Sequence, residues 1–199
     1  MSQPHKGPIQ ISLGFCLLAA WFAAVNGWQL LVTVLGAAAV HELGHCLALW
    51  GLGARITGLR IGILGAVLET DSRNLSYGGE LLAVLAGPAA NLLSALLLTL
   101  LGGIRWAVPV GAHLVLGVFN LLPVGPLDGG RALYLLTAWF AGPAVAEWAL
   151  RWIGAAAAVS LAAGICCLMW RTGGSLWLLP AVVGLLGAVA PKRGKGSFL

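Results

Sequence analysis

His41, Glu42 and His45 stand in the run HELGH, two histidines four residues apart with a glutamate after the first. On a helix this spacing puts both imidazoles on one face, one turn apart, where both can reach a single metal ion. Glu42 lies beside the first of them, where its carboxylate can hold a proton for a water that the ion polarises. A catalytic zinc ion takes three protein ligands and keeps a fourth position open. The chain has only six acids: Glu69, Asp71 and Glu80 gather in or beside one loop, and Glu147 begins a later helix. Asp128 remains, between Pro126 and a glycine pair that lets it turn inward. Its alternative role is to cap the helix over GRALYLLTAWF; a dihistidine site short of one ligand favours the metal.

The elements that must position these residues are apolar. Of 199 residues 60% are hydrophobic and 9% charged, with a mean hydropathy of +0.96, whereas a soluble domain carries roughly a quarter charged residues. That balance excludes a soluble enzyme, a secreted disulfide scaffold and a disordered tail, and predicts a polytopic membrane protein. About 20 apolar residues cross a bilayer as a helix, and six stretches qualify, near 9–25, 28–50, 81–101, 106–122, 147–170 and 175–190. The first reads as a retained helix rather than a signal peptide, because it runs almost directly into the second. Residues 54–69 are too interrupted by glycine and β-branched residues for a span and predict a short membrane-embedded β-hairpin centred on 59–68. Fold class is therefore all-α with about six transmembrane helices and one hairpin. A single domain covers 1–199, with its core near 28–140 and a short basic tail at 191–199.

With a cytoplasmic amino terminus, Lys6, Arg55, Arg60, Arg73, Arg131, Lys192, Arg193 and Lys195 fall inside and only Arg105 and Arg171 outside, which places both termini in the cytoplasm. The net charge of +5 is thus a topology signal and implies no nucleic-acid partner. The four cysteines lie in apolar stretches without paired spacing and read as small core residues.

HELGH in one membrane helix, GPAAN at 87–91 in the next and NLLPVGPLDGG at 120–130 closing a later one resemble the site-2 proteases, zinc intramembrane metalloproteases. The resemblance covers roughly residues 40–133. It implies one zinc ion per chain on His41, His45 and Asp128, Glu42 as general base, and a membrane-embedded hairpin after the motif helix. It also implies regulated intramembrane proteolysis in a bacterial cytoplasmic membrane, on a membrane protein or a membrane-associated pro-protein. The ending FNLLPVGPLDGGR looks most like the sporulation factor FB type, which processes a pro-sigma factor, although this chain carries neither that type's CBS domain nor an inserted PDZ domain; a membrane partner is then expected to supply regulation.

Asn91 and Asn120 read either as interhelical hydrogen-bonding residues or, by the resemblance, as lining the active site, with Asn120 touching substrate. His113, alone in the fourth stretch, reads as packed or hydrogen-bonded rather than ligating. Cys46 points about 100° away from His45 and is not counted as a ligand. A substrate helix must be extended before it is cut, and the hairpin over 59–68 either receives it by strand addition or is a structural plug. The competing function is a metal-ion transporter or channel; a conduction path needs polar groups on successive helices, whereas here they concentrate at one point.

Overall fold

The computed structural model describes residues 9–62, 65–71, 75–171, 183 and 187. They divide into two compact units, one ending at Leu121 and one starting at Leu122.

In the first unit a short strand, β1 (Ile9–Ile11), leads into α1 (Leu13–Asn26), whose amino end is capped by the Ser12 hydroxyl accepting from the Phe15 N–H at 3.2 Å. One residue, Gly27, separates α1 from α2 (Trp28–Gly51); its φ of 88° is open to glycine and costly for other residues. Two strands follow, β2 (Arg55–Gly62) and β3 (Gly65–Asp71), then α3 (Tyr77–Gly102), a single 3-10 turn and α4 (Ala107–Asn120).

β2 is the middle strand of the sheet. β1 pairs parallel to it, with Ile9 opposite Leu59, and β3 antiparallel, with Leu59 opposite Leu68. The Ser12 N–H extends the first ladder onto the Ile61 carbonyl at 2.9 Å. Between Ile56 and Gly58 the second ladder is bulged, and the Thr57 hydroxyl donates across it to the Glu69 carbonyl at 3.0 Å. Arg60 and Glu69 form a cross-strand ion pair. The hairpin expected over 59–68 is therefore present and several residues longer at its open end; residues 63 and 64 lie outside the described residues. The sequence reading gave β1 to a membrane span. Three residues before an apolar helix are too few to show a period of their own, and their partner strand lies far along the chain, so 9–25 resolves into β1 and a helix of 14 residues.

α2, α3 and α4 pack together. Between helices in lipid there is little hydrophobic gain, and association depends on close packing and on hydrogen bonds between helices. The interface follows that rule. Ala37, His41, His45 and Leu49 are the buried residues of α2, and Ala83, Gly87, Asn91 and Ala95 are buried at the same four-residue spacing on α3. At Gly44 a Cβ would stand 2.6 Å from the Ala86 carbonyl oxygen and 2.9 Å from the Ala90 methyl. After α3 the chain turns back at Gly103, so that Gly117 of α4 lies against Asn91 and Leu92. Leu47, Trp50, Leu97 and Leu101 point outward, as lipid-facing side chains do.

The second unit begins with a loop whose Val124 is buried against Ala158, surrounded by Leu122, Leu127, Ala157, Leu161 and Ile165. It continues into α5 (Asp128–Ala141), the single-residue joint Gly142 and α6 (Pro143–Arg171), against which α5 packs. Gly130 is pressed so close to the Val124 carbonyl that a Cβ would overlap it. Leu127, extended at φ −95° and ψ 161°, is the N-cap of α5, and Asp128 is its first helical residue. The capping alternative for Asp128 is thereby corrected: the extended conformation that a cap requires belongs to the residue before it. The fifth stretch, expected at 147–170, starts earlier because Pro143 fits the first helical position, where no N–H is needed.

Among the described residues, three helical segments are long and apolar enough to cross a membrane: Trp28–Gly51, Tyr77–Asn120, which contains the turn at Gly103, and Pro143–Arg171. α1 is apolar but shorter. The sixth stretch and the basic tail lie outside the described residues apart from 183 and 187. Cys16, Cys166 and Cys167 are exposed rather than in the core, and Cys46 is half-buried; a small apolar side chain suits a lipid-facing position as well as an interior one. Because Gly44 is in tight contact with α3 and Gly36, on the same helix, meets open space, Gly44→Val is expected to lower stability in detergent by about 1–3 kcal/mol and Gly36→Val to leave the thermal midpoint nearly unchanged. Equal effects would show that close helix approach is not what Gly44 provides.

Candidate metal centre

His41 and His45 are both buried on the face of α2 turned to α3. Their rings meet edge to face, with centroids 4.7 Å apart, and their Nε2 atoms are 3.1 Å apart. Each ring is held from its other nitrogen. His45 Nδ1–H donates to the Ala83 carbonyl at 2.8 Å. Asn91 Nδ2 lies 3.2 Å from His41 Nδ1, and Asn91 Oδ1 accepts from His113 Nδ1 at 3.0 Å. Asn91 is fully buried between the two helices that carry these histidines.

The GPAAN run explains why His45 fits. Gly87 lies under the imidazole so closely that a Cβ would overlap its Nε2, with Cε1 only 2.5 Å away. Pro88 has no N–H to donate to the Val84 carbonyl, next to the Ala83 carbonyl that His45 reaches. The motif thus opens a slot for one ring and, four residues later, supplies the amide for the other.

The donor chemistry fits a zinc ion. Two nitrogens at the usual ~2.0–2.1 Å from zinc in a tetrahedral arrangement stand about 3.4 Å apart, close to the 3.1 Å found. Imidazole is a preferred zinc donor, and a ligating ring commonly donates its second N–H to a carbonyl or carboxylate, as His45 does here to Ala83. Glu42 is half-buried on α2 immediately after His41. Cys46, next to His45, is half-buried.

Of the residues singled out from sequence, the structure brings His41, His45 and Asn91 together. His113, read as packed or hydrogen-bonded, joins them through Asn91; an intramembrane imidazole needs a partner, but nothing in the sequence says which. Asn120 does not join them through its amide nitrogen, which donates back to the Leu116 carbonyl of its own helix at 3.0 Å. Asp128 opens α5 of the second unit.

No family model matches the chain. Across 100% of its length it superposes on 98% of the site-2 protease from Methanocaldococcus jannaschii, with a TM-score of 0.65 and 20% sequence identity. The fold is that of a site-2 protease. Two curated relatives are similar in sequence and are named as zinc metalloproteases. Rip3 of Mycobacterium tuberculosis is 29% identical over 130 residues, covering 59% of this chain and 32% of that protein. The sll0528 protein of Synechocystis is 32% identical over 102 residues, covering 47% of this chain and 27% of that one. The chain thus spans about a third or less of the curated relatives it matches.

Since the slot at Gly87 exists for the His45 ring, Gly87→Ala is expected to destabilise the protein by about 1–3 kcal/mol, and Gly87→Ala combined with His45→Ala to cost less than the two single changes added together. Additive costs would mean that the two positions do not press on one another.

Proposed function

We propose that the chain is a zinc-dependent intramembrane endopeptidase of the site-2 protease type. The observation that carries the reading is the buried pair of Nε2 atoms, 3.1 Å apart, on one face of an apolar helix long enough to cross a membrane. Buried polar groups in such a helix are costly unless paired, and mark functional sites by default. The site-2 protease fold and the relatives named as zinc metalloproteases support the same reading. His41 and His45 hold the metal through Nε2, and Asp128 is the third ligand, from the DGG run that the sequence reading singled out. On this reading both units serve one catalytic domain.

A bound zinc ion would supply a water acidic enough to act as nucleophile near neutral pH and a Lewis acid for the scissile carbonyl. The chain's own residues do the rest. Glu42 accepts the water's proton on a carboxylate oxygen and returns it to the leaving amine nitrogen. Ala83 and Asn91 keep the two imidazoles oriented. Asn120, with its nitrogen turned back to its own helix, has its carbonyl oxygen to offer a substrate N–H.

The substrate must be extended where it is cut, and a long sheet edge could receive it. Among the described residues β1 occupies one side of β2, which leaves the outer edge of the seven-residue β3. We place strand addition there, on β3 rather than on β2. The substrate class is a membrane protein or a membrane-associated pro-protein, of which a pro-sigma factor is the example suggested by the FNLLPVGPLDGGR resemblance; a membrane partner would regulate access. The excess of basic residues on one set of loops supports a reading with both termini on the cytoplasmic side of a bacterial membrane.

Purified wild type should carry about one zinc per chain, and Asp128→Ala should lose or weaken it; protein that refuses zinc would overturn the reading. Glu42→Gln should keep its zinc while turnover of a fluorogenic single-span peptide falls by roughly 10²–10⁴-fold. Neighbouring N–H groups of a strand point to opposite sides, so of Val67→Pro and Leu68→Pro one alters only the outer edge. That one should reduce peptide cleavage with zinc content unchanged; full turnover in both variants would remove β3 from substrate binding.

A further inference from the structure

Resting on the zinc reading above, we propose that Asn91 and His113 are positioning residues for the metal centre: together they decide which nitrogen of His41 carries its proton. The four side chains form one continuous path, His113 to Asn91 to His41 to His45, which ends on the Ala83 carbonyl, with successive separations of 3.0, 3.2, 3.1 and 2.8 Å. Every member is buried among helices, so no bulk water stands in for a missing partner.

A neutral imidazole has one N–H and one lone pair. His45 donates its Nδ1–H to the Ala83 carbonyl and so presents a lone pair at Nε2, which suits a metal ligand. For His41 the outcome depends on Asn91. When the Asn91 amide nitrogen faces His41 Nδ1, that nitrogen must accept, and the His41 proton sits on Nε2, pointing at His45. When the amide oxygen faces His41 Nδ1, that nitrogen donates, and Nε2 is free of its proton and able to bind the ion. The two ends of a primary amide are nearly equal in size, so both settings occupy the same heavy-atom positions.

The far end of Asn91 is fixed by His113. With the amide oxygen toward His113, His113 Nδ1 must donate; with the nitrogen toward it, His113 Nδ1 must accept and its proton moves to Nε2. The two settings differ by a half-turn of the amide and by exchange of the proton position within two rings, with no net gain or loss of protons. Zinc binding at His41 Nε2 selects the second setting, and the selection is transmitted to a histidine that does not touch the ion. Partners that orient a ligating imidazole typically contribute 10–100-fold in metal affinity, which sets the size of the effect.

The test uses the full chain in detergent, with zinc as the probe and a chelator competitor to read affinity. Asn91→Asp keeps an oxygen for His41 Nδ1–H and should hold zinc within about threefold of wild type, whereas Asn91→Leu should weaken it about 10–100-fold. His113→Phe should weaken it by a smaller factor. Equal zinc affinity in wild type, Asn91→Asp and Asn91→Leu overturns the proposal, as does equal weakening in both Asn91 variants. A readout independent of any variant is the nitrogen chemical shift of histidine-labelled wild type. On adding zinc to chelator-stripped protein, the His113 proton should pass from Nδ1 to Nε2; an unchanged His113 tautomer in protein that binds zinc overturns the proposal and leaves the zinc site standing. Failure of wild type to bind zinc at all overturns both.

Discussion

Everything in the first unit follows from the need to keep imidazoles inside a bundle of apolar helices. Where lipid and packed methyl groups replace water, each ring nitrogen must find a partner in the protein, and those partners lie on other helices. His45 finds a carbonyl on α3, and His41 finds an amide on α3 that is itself held from α4. Three helices are thereby tied at one level by four side chains. Hydrogen bonds between membrane helices contribute on the order of 1 kcal/mol each, so this network fixes geometry more than it supplies stability.

Such a network needs the helices close together, and the small residues provide that. Gly44 brings α2 against the Ala86 carbonyl, Gly87 makes room for a ring, and Gly117 admits α4 to Asn91. In each case the glycine sits where two backbones or a backbone and a ring approach, not where the chain bends. The bends are made elsewhere, at Gly27 and Gly142, where one residue separates consecutive helices. Helix packing and chain reversal are thus handled by different glycines.

The site was legible in the sequence to the extent that its geometry is local. HELGH implies a shared helical face by spacing alone, and both histidines lie there. The hairpin was legible because glycines and β-branched residues interrupt an apolar run. β1 was not, because a three-residue strand is defined by the partner it pairs with. Leu127 displaced Asp128 as cap because either residue could open α5 and only the backbone conformation decides. His113 could be recognised as a polar group in want of a partner, yet its link to Asn91 spans two helices and depends on how Gly117 lets them approach. GPAAN was legible as a motif, but that its glycine accommodates His45 and its asparagine reaches His41 emerges only from the register of α2 against α3.

The close contact between Gly87 and the His45 ring has an evolutionary corollary. A chain that keeps the ring cannot readily acquire a side chain at 87, while a chain that has lost the ring is released from that restriction and would gain packing by filling the slot. Positions 45 and 87 are therefore expected to drift as a pair. A related sequence with a larger residue in place of this glycine would signal decay of the site even if its histidines had not yet changed, so a residue with no chemistry of its own becomes a marker for the chemistry beside it.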